Sequence, residues 1–204
     1  MANISIVPLG ATIGVRVEGF DFSEPLTGAL RDAIRAAIGE HKVLVFKGEP
    51  LPVAVFRAFA RKFGPLQEHV LRKYRHDEFP DLSWLTNVAE DGSFDPFGVV
   101  RASTWHSDGS YTQDPPELGM LHAFEVPSRG GSTIFADMCN AYDTLDADMQ
   151  SRMSGLTGLH RHGAGPGGSM YEDVLDDDQE EKTNDAVHPT VSVHPSTGRK
   201  MLYL

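Results

Sequence analysis

One cysteine in 204 residues, Cys139, excludes an internal disulfide and suits a reducing cytoplasm. Basic side chains are scarce as well: 18 Lys and Arg against 29 Asp and Glu leave a formal charge of -11, which argues against a nucleic-acid or anionic-membrane partner. The expected partner is a small molecule. No apolar run approaches bilayer length and no basic leader with an apolar core opens the chain, so the sequence predicts neither membrane spanning nor export. No internal repeat is visible. What is present, 40% apolar and 23% charged residues, fits a single domain over 1–204 with a sizeable core.

The periodicity reads as a mixture of short strands and a few helices. Ile4 to Val7 and Ile13 to Phe20 look like strands split by Pro8 and Gly10. Over Leu26 to Glu40 the period changes, and Leu30, Ile34, Ala37 and Ile38 fall on one helical stripe with Thr27 as N-cap. Val43 to Phe46 is a short β-branched run, read as a buried strand. A second helix starts at Pro52, carries Phe56, Phe59, Ala60 and Phe63 on one face as core, and stops at Gly64-Pro65. Leu82 to Val88, Glu117 to Val126 and Ser132 to Met138 read as further strands, and Asn140 as the cap of a helix reaching about Met153. Leu156 to His162 is ambiguous. The glycines of 163–168 and the carboxylates of 172–181 predict a surface excursion, either a solvated acidic loop or a lid. Val191 to Val193 and Lys200 to Leu204 form a hairpin around Pro195-Ser196-Thr197-Gly198.

Chemistry enters at Thr104-Trp105-His106-Ser107-Asp108-Gly109-Ser110-Tyr111. On an extended backbone, residues two apart share a face, so His106 and Asp108 can close on one metal ion. They would supply two thirds of a 2-His-1-carboxylate triad, which leaves the opposite face of an iron octahedron open for a chelating cosubstrate and oxygen. Spacing alone does not decide this against an ordinary solvated loop. Chance supplies roughly 1.3 His-x-carboxylate pairs in a chain of this composition, and His76-Asp77-Glu78 is another match.

The surrounding text is more specific. Trp105-His106-Ser107-Asp108 is followed by Pro115-Pro116, then Pro127-Ser128-Arg129-Gly130-Gly131-Ser132-Thr133, and finally His188-Pro189-Thr190-Val191-Ser192-Val193-His194-Pro195-Ser196-Thr197-Gly198-Arg199-Lys200. In these motifs the chain resembles the taurine and 2,4-dichlorophenoxyacetate dioxygenases, the TauD/TfdA family of Fe(II)/2-oxoglutarate oxygenases. The resemblance implies a mainly β fold with flanking helices (α+β), a double-stranded β-helix or jelly roll with iron at one mouth. It implies the cofactor Fe(II) held by His106 and Asp108, with 2-oxoglutarate as cosubstrate and Thr133 bonded to its carboxylate nearest the metal. Without the family context, Thr133 reads as a strand threonine.

In the family, a distal iron histidine and an arginine that pairs with the far carboxylate of 2-oxoglutarate follow the last motif, and nothing here matches them. The expectation is therefore of a jelly roll incomplete at its C-terminus, the N-terminal part of a longer protein. His122, His160, His162, His188 and His194 could stand in for the distal ligand, but His188 and His194 belong to the last motif and a strand histidine is more often a satisfied core residue than a ligand.

The implied activity is hydroxylation of a small organic anion with O2, releasing succinate and CO2. Asp108 stands where the family's halogenating relatives leave room for halide, which points to hydroxylation. For substrate binding, the resemblance puts forward His69, Tyr111 and Arg72. His69 matches a sulfonate-contacting histidine, while Ala102 and Arg72 depart from the taurine pattern, and the Trp-His-Ser-Asp-Gly-Ser-Tyr spelling leans toward the phenoxyacetate branch. The basic run Arg72-Lys73-Tyr74-Arg75-His76 favours an anionic ligand in one reading and is a solvated loop in the other. The alternative function is a non-catalytic β-sandwich binding module, or an inactive relative. Self-association into a homo-oligomer is left open.

Overall fold

A computed structural model describes residues 4–89, 91–100, 103–163 and 185–204. Ala102, the glycines at 164–168 and the acidic segment 172–181 lie outside the described residues. The chain divides into two units: Met1–Gly64 with Met120–Leu156 and Pro189–Tyr203, and Pro65–Gly119 with Thr157–His188 and Leu204.

The first unit opens with a three-stranded sheet. Strand β1 (Ser5–Pro8) runs antiparallel to β2 (Val15–Glu18), with Ile6 opposite Val17. Val15 and Val17 are buried while Arg16 and Glu18 pair with each other at 2.8 Å, the period-2 alternation of a strand with one covered face. Helix α1 (Gly28–His41) then crosses back to β3 (Leu44–Phe46), which lies parallel to β2. The predicted cap is present: Thr27 Oγ1 accepts the Leu30 N–H at 3.2 Å. At the other end Lys42, at φ 65, turns the chain out of the helix while its N–H still reaches the Ile38 carbonyl.

Helix α2 (Val53–Ala60) follows Pro52, as the sequence predicts. Its Phe59 joins Phe20, Phe22 and Phe46 in an edge-to-face cluster with centroids 4.6 to 6.5 Å apart, and Phe63 extends it at 5.3 Å. Such contacts add about 0.5–1.5 kcal/mol per pair beyond burial. The aromatic stripe is core. Phe56 stacks on His122, whose Nε2 accepts the Leu51 N–H at 2.9 Å, so this histidine is occupied in packing.

Later in the same unit the expected single helix is two. Asp137, not Asn140, caps α4 (Met138–Asp143) by accepting from the Cys139 and Asn140 N–H groups. Asp146 then caps α5 (Ala147–Met153) through the Met149 N–H. A second capping residue restarts the helix after Thr144, and the turn between them splits the apolar stripe. Helix α4 packs on β7 (Lys200–Leu202), which pairs antiparallel with β6 (Val191–Val193) as the predicted hairpin.

The second unit is built on a loop framework with a two-stranded sheet. Tyr74, buried, donates its hydroxyl to the buried Asp95 carboxylate at 2.7 Å, and Asp95 also accepts the Phe97 and Gly98 N–H groups at the start of α3 (Pro96–Val100). The Tyr74 hydroxyl is the chief reason that carboxyl sits below its ordinary pKa. Strand β4 (Thr157–His160) settles the ambiguous stretch, and it pairs with β5 (Ala186–Pro189).

Three stretches expected as strands carry no ladder. Leu82 to Val88 contributes only the isolated bridges Arg75 to Ser83 and Val88 to Phe94. Residues 117–126 and 132–137 form no strand. Leu121, Val126 and Ile134 are 63%, 70% and 71% exposed, so these apolar side chains lie uncovered among the described residues. Alternation specifies an extended chain, but a strand also needs a partner's N–H and C=O groups, and no ladder partner for these runs occurs among the described residues. No helix among the described residues is long and apolar enough to cross a membrane.

Candidate metal site

The two His-x-carboxylate matches part company in three dimensions. His76 stacks against both Phe79 and Trp84, with centroids at 5.2 and 5.6 Å, and its Nδ1 accepts the Glu78 and Phe79 N–H groups. Its ring organises a turn. His106 instead faces its carboxylate: Nε2 lies 3.3 Å from Asp108 Oδ1, and the side chains are 45% and 79% exposed.

The tautomer of His106 follows from its other nitrogen. Nδ1 lies 2.7 Å from the Thr104 carbonyl oxygen. A carbonyl can only accept, so Nδ1 carries the proton, and in the neutral ring Nε2 is left as the lone-pair donor available to a metal. That is the second-sphere arrangement by which proteins orient a metal-binding imidazole. Metal–ligand bonds of about 2.1 Å meeting near a right angle put the two donor atoms roughly 3.0 Å apart. The observed 3.3 Å is close to that span, so both residues fit adjacent positions on one divalent ion.

The turn after Asp108 is tightly specified. Gly109 has φ 66, and a Cβ there would lie 2.5 Å from Pro116 Cδ. The Ser107 carbonyl accepts the Ser110 N–H, and the Gly109 carbonyl accepts both the N–H and the hydroxyl of Thr112. Tyr111 meets the His162 ring edge-on at 4.8 Å. Burial, and then the Asp108 carboxylate, push the Tyr111 phenol above its ordinary pKa, which keeps it a neutral donor.

Histidines of the β4–β5 region also meet this turn, a grouping that sequence spacing does not reveal. His188 Nε2 lies 2.9 Å from the Ser110 carbonyl oxygen and 3.0 Å from that of Thr112, and its ring meets the buried His160 edge-on at 5.1 Å. The one available signal was the position of His188 at the head of the last motif. Burial, and next the His188 ring, hold the His160 imidazole below its ordinary pKa, and burial does the same for His162. At pH 8 these rings are neutral whether the chain is folded or not. Below about pH 6.5 the unfolded chain binds protons that the folded chain refuses, so stability falls through that point and on down through the folded pKa values. Urea midpoints measured from pH 8 to pH 5.5 should therefore decline, and less steeply in His160→Asn. An unchanged slope in that variant would contradict the assignment.

The remaining candidates are placed as follows. His69 Nδ1 accepts the Leu71 N–H at 3.1 Å, which leaves the ring proton on Nε2 in the neutral form. Arg72 is exposed in the one-turn helix Arg72–Tyr74. Its neighbours in the basic run are engaged within the unit: Lys73 lies 3.7 Å from Asp95, and Arg75 pairs with Glu68 at 2.9 Å and donates to the His69 carbonyl. Thr133 belongs to the first unit and lies exposed, outside any helix or strand. No group of three or more His, Cys, Asp or Glu side chains suited to a metal occurs among the described residues.

Comparison with known proteins gives the site its context. The model of the taurine catabolism dioxygenase TauD, TfdA family matches residues 5–204. The chain is 32% identical over 212 residues to the alpha-ketoglutarate-dependent 2,4-dichlorophenoxyacetate dioxygenase of Cupriavidus pinatubonensis, covering 97% of this chain and 71% of that one. It is also 32% identical to the (S)-phenoxypropionate/alpha-ketoglutarate-dioxygenase of Sphingobium herbicidovorans, covering 98% and 69%. Among solved structures, that of AAD-2 in complex with Mn(II) and N-oxalylglycine superposes with a TM-score of 0.81 at 29% identity, covering 99% of this chain and 71% of that one. With its motifs, its paired His106 and Asp108 and these relatives in agreement, the chain belongs to the TauD/TfdA family of Fe(II)- and 2-oxoglutarate-dependent dioxygenases.

Proposed function

We propose that this chain hydroxylates a small organic anion of the aryloxyalkanoate or sulfonate class, with His106 and Asp108 as two of the three protein ligands to Fe(II). The observation that carries the reading is the 3.3 Å convergence of His106 Nε2 and Asp108 Oδ1, with the imidazole oriented by the Thr104 carbonyl. When bound, Fe(II) supplies the O2-dependent oxidative decarboxylation of 2-oxoglutarate that releases succinate and CO2 and inserts oxygen into a C–H bond.

The chain's own groups bind and orient. Asp108 brings the negative charge that holds a divalent cation, and His106 a neutral donor. Thr133 hydrogen-bonds the 2-oxoglutarate carboxylate nearest the metal. His69 would turn its Nε2–H to the substrate's anionic group, Arg72 would add positive charge, and Tyr111, a phenol kept neutral by burial and by the Asp108 charge, would add a hydroxyl donor. An aryloxyalkanoate preference is supported by the two relatives whose names specify such substrates. Hydroxylation next to the ether oxygen of an aryloxyacetate would release the phenol and glyoxylate.

We also read the fold as part of a double-stranded β-helix. The third iron ligand, the 2-oxoglutarate arginine and the strands that pair with 117–126 and 132–137 would come from outside the described residues. The outward-facing Leu121, Val126 and Ile134 support this, because a partner sheet would cover them.

The test is succinate release from 2-oxoglutarate by the full natural chain with Fe(II), across aryloxyacetates, aryloxypropionates and alkylsulfonates. At least one aryloxyalkanoate should accelerate release at least about tenfold over the uncoupled background, an effect equivalent to roughly 1.4 kcal/mol. No acceleration by any member of the panel would overturn the substrate class.

A further inference from the structure

We propose that His188 is a positioning residue of the metal loop, fastening the turn that carries Asp108 to strand β5. The inference rests on the iron-site reading above and adds to it a residue that makes no contact with the metal. His188 Nε2 faces two carbonyl oxygens, those of Ser110 at 2.9 Å and Thr112 at 3.0 Å. Both oxygens can only accept, so Nε2 bears a proton shared between them.

The consequence for the turn is that four of its carbonyls are anchored. Ser107 and Gly109 carbonyls are satisfied from within the turn, by the N–H of Ser110 and by Thr112. The Ser110 and Thr112 carbonyls are held from outside it, by a side chain 78 and 76 residues further along the chain. Strand β5 is itself secured: Ala186 is fully buried, and the sheet with β4 is reinforced where Arg161 grips Asp185 through two bonds of 2.9 and 2.6 Å. Asp108 is highly exposed and hence has little packing of its own to fix it. Its position is set by the backbone on either side, through the His106 ring bonded to Thr104 upstream and the His188 clasp downstream. A ligand on a loop reaches the precision of one on a strand when the loop is fastened in this way.

Two other candidates fall short of this. The cavity lined by Gly39, Lys42, Ser196 and Arg199 has its cations already engaged, with Arg199 on Asp143 and Lys42 on the Gly39 carbonyl. The groove between α1 and the first sheet has no indicated occupant.

The experiment uses the full natural chain as native protein and as His188→Leu, His188→Gln and Asp108→Ala. Co(II) affinity is titrated calorimetrically, and amide hydrogen exchange is followed in the metal-free proteins over residues 107–112. Native protein should bind Co(II) and Asp108→Ala should not. His188→Leu should bind about tenfold more weakly or worse, the scale of lost second-sphere support. Its turn should exchange at least about tenfold faster, as local opening becomes easier. His188→Gln, which can return an N–H near the Nε2 position, should recover most of both losses. If leucine is not tolerated, His188→Asn, whose amide falls short of the two carbonyls, takes its place against glutamine.

Native exchange and native Co(II) affinity in the leucine or asparagine variant would overturn the proposal. So would a glutamine variant as impaired as leucine. If the native chain fails to bind Co(II), the iron reading falls, and the exchange comparison alone then decides the role of His188.

Discussion

Asp108→Ala loses succinate release coupled to substrate by more than about 100-fold, exceeding the 10- to 100-fold typical of second-sphere changes because it removes a ligand itself. Alanine leaves His106 Nε2 with no partner oxygen at 3.3 Å, and it removes the negative charge from that pair of donors. The turn should survive, since the bonds that build it are made by the backbone of Ser107 to Thr112 and by the Thr112 hydroxyl. The variant should therefore melt within a few degrees of the native chain, because a surface substitution away from caps and core is usually within about 0.5 kcal/mol of neutral. Loss of activity together with loss of fold would instead make Asp108 a structural residue. Coupled turnover within a few-fold of native would remove it from the site.

Gly109→Ala should damage stability and metal binding together. At φ 66 an L residue carries a backbone penalty of about 1–2 kcal/mol. The added Cβ would also stand 2.5 Å from Pro116 Cδ and 3.1 Å from its Cγ, and a proline ring cannot swing aside. The turn must open, which pulls Asp108 away from His106. Gly198→Ala separates the two effects: Gly198 has φ 68 but nothing within 4 Å of a built Cβ, and it lies in the β6–β7 hairpin. That variant should lose a similar backbone contribution yet keep its Co(II) affinity, measured by titration beside urea unfolding. Equal metal affinity in the Gly109 and Gly198 variants would show that the turn does not set the site.

The elements most legible in the sequence are those whose signals are local. Helix α1 announced itself by a 3.6-residue stripe and by Thr27, and both are as expected. The β6–β7 hairpin was written in its turn residues. Strands β1, β2 and β3 were found, but the parallel pairing of β2 with β3 across α1 was not, because register and partner choice are properties of the assembled sheet.

The same limit explains the runs at 117–126 and 132–137. Their composition specifies an extended backbone and stays silent about which chain satisfies it. The expected cap at Asn140 gives way to Asp137: both residue types cap well, and the carboxylate three residues earlier accepts the Cys139 and Asn140 N–H groups.

At the site, the spacing of His106 and Asp108 is visible but shared with His76 and Glu78. In three dimensions the two separate, through ring stacking and turn bonds at His76 and a facing carboxylate at His106. The motifs around His106 carried the distinction in the sequence, through resemblance rather than physical necessity. The approach of His188, from strand β5 to the same turn, is marked in the sequence only by its place at the head of the last motif, which is silent about the turn it meets.

The most direct test is the anomalous scattering of Mn(II) in crystals of the full natural chain grown with N-oxalylglycine. The account predicts one peak bonded to both His106 Nε2 and an Asp108 carboxylate oxygen, each at about 2.0–2.2 Å. A metal peak that touches neither residue, or only one of them, would contradict it.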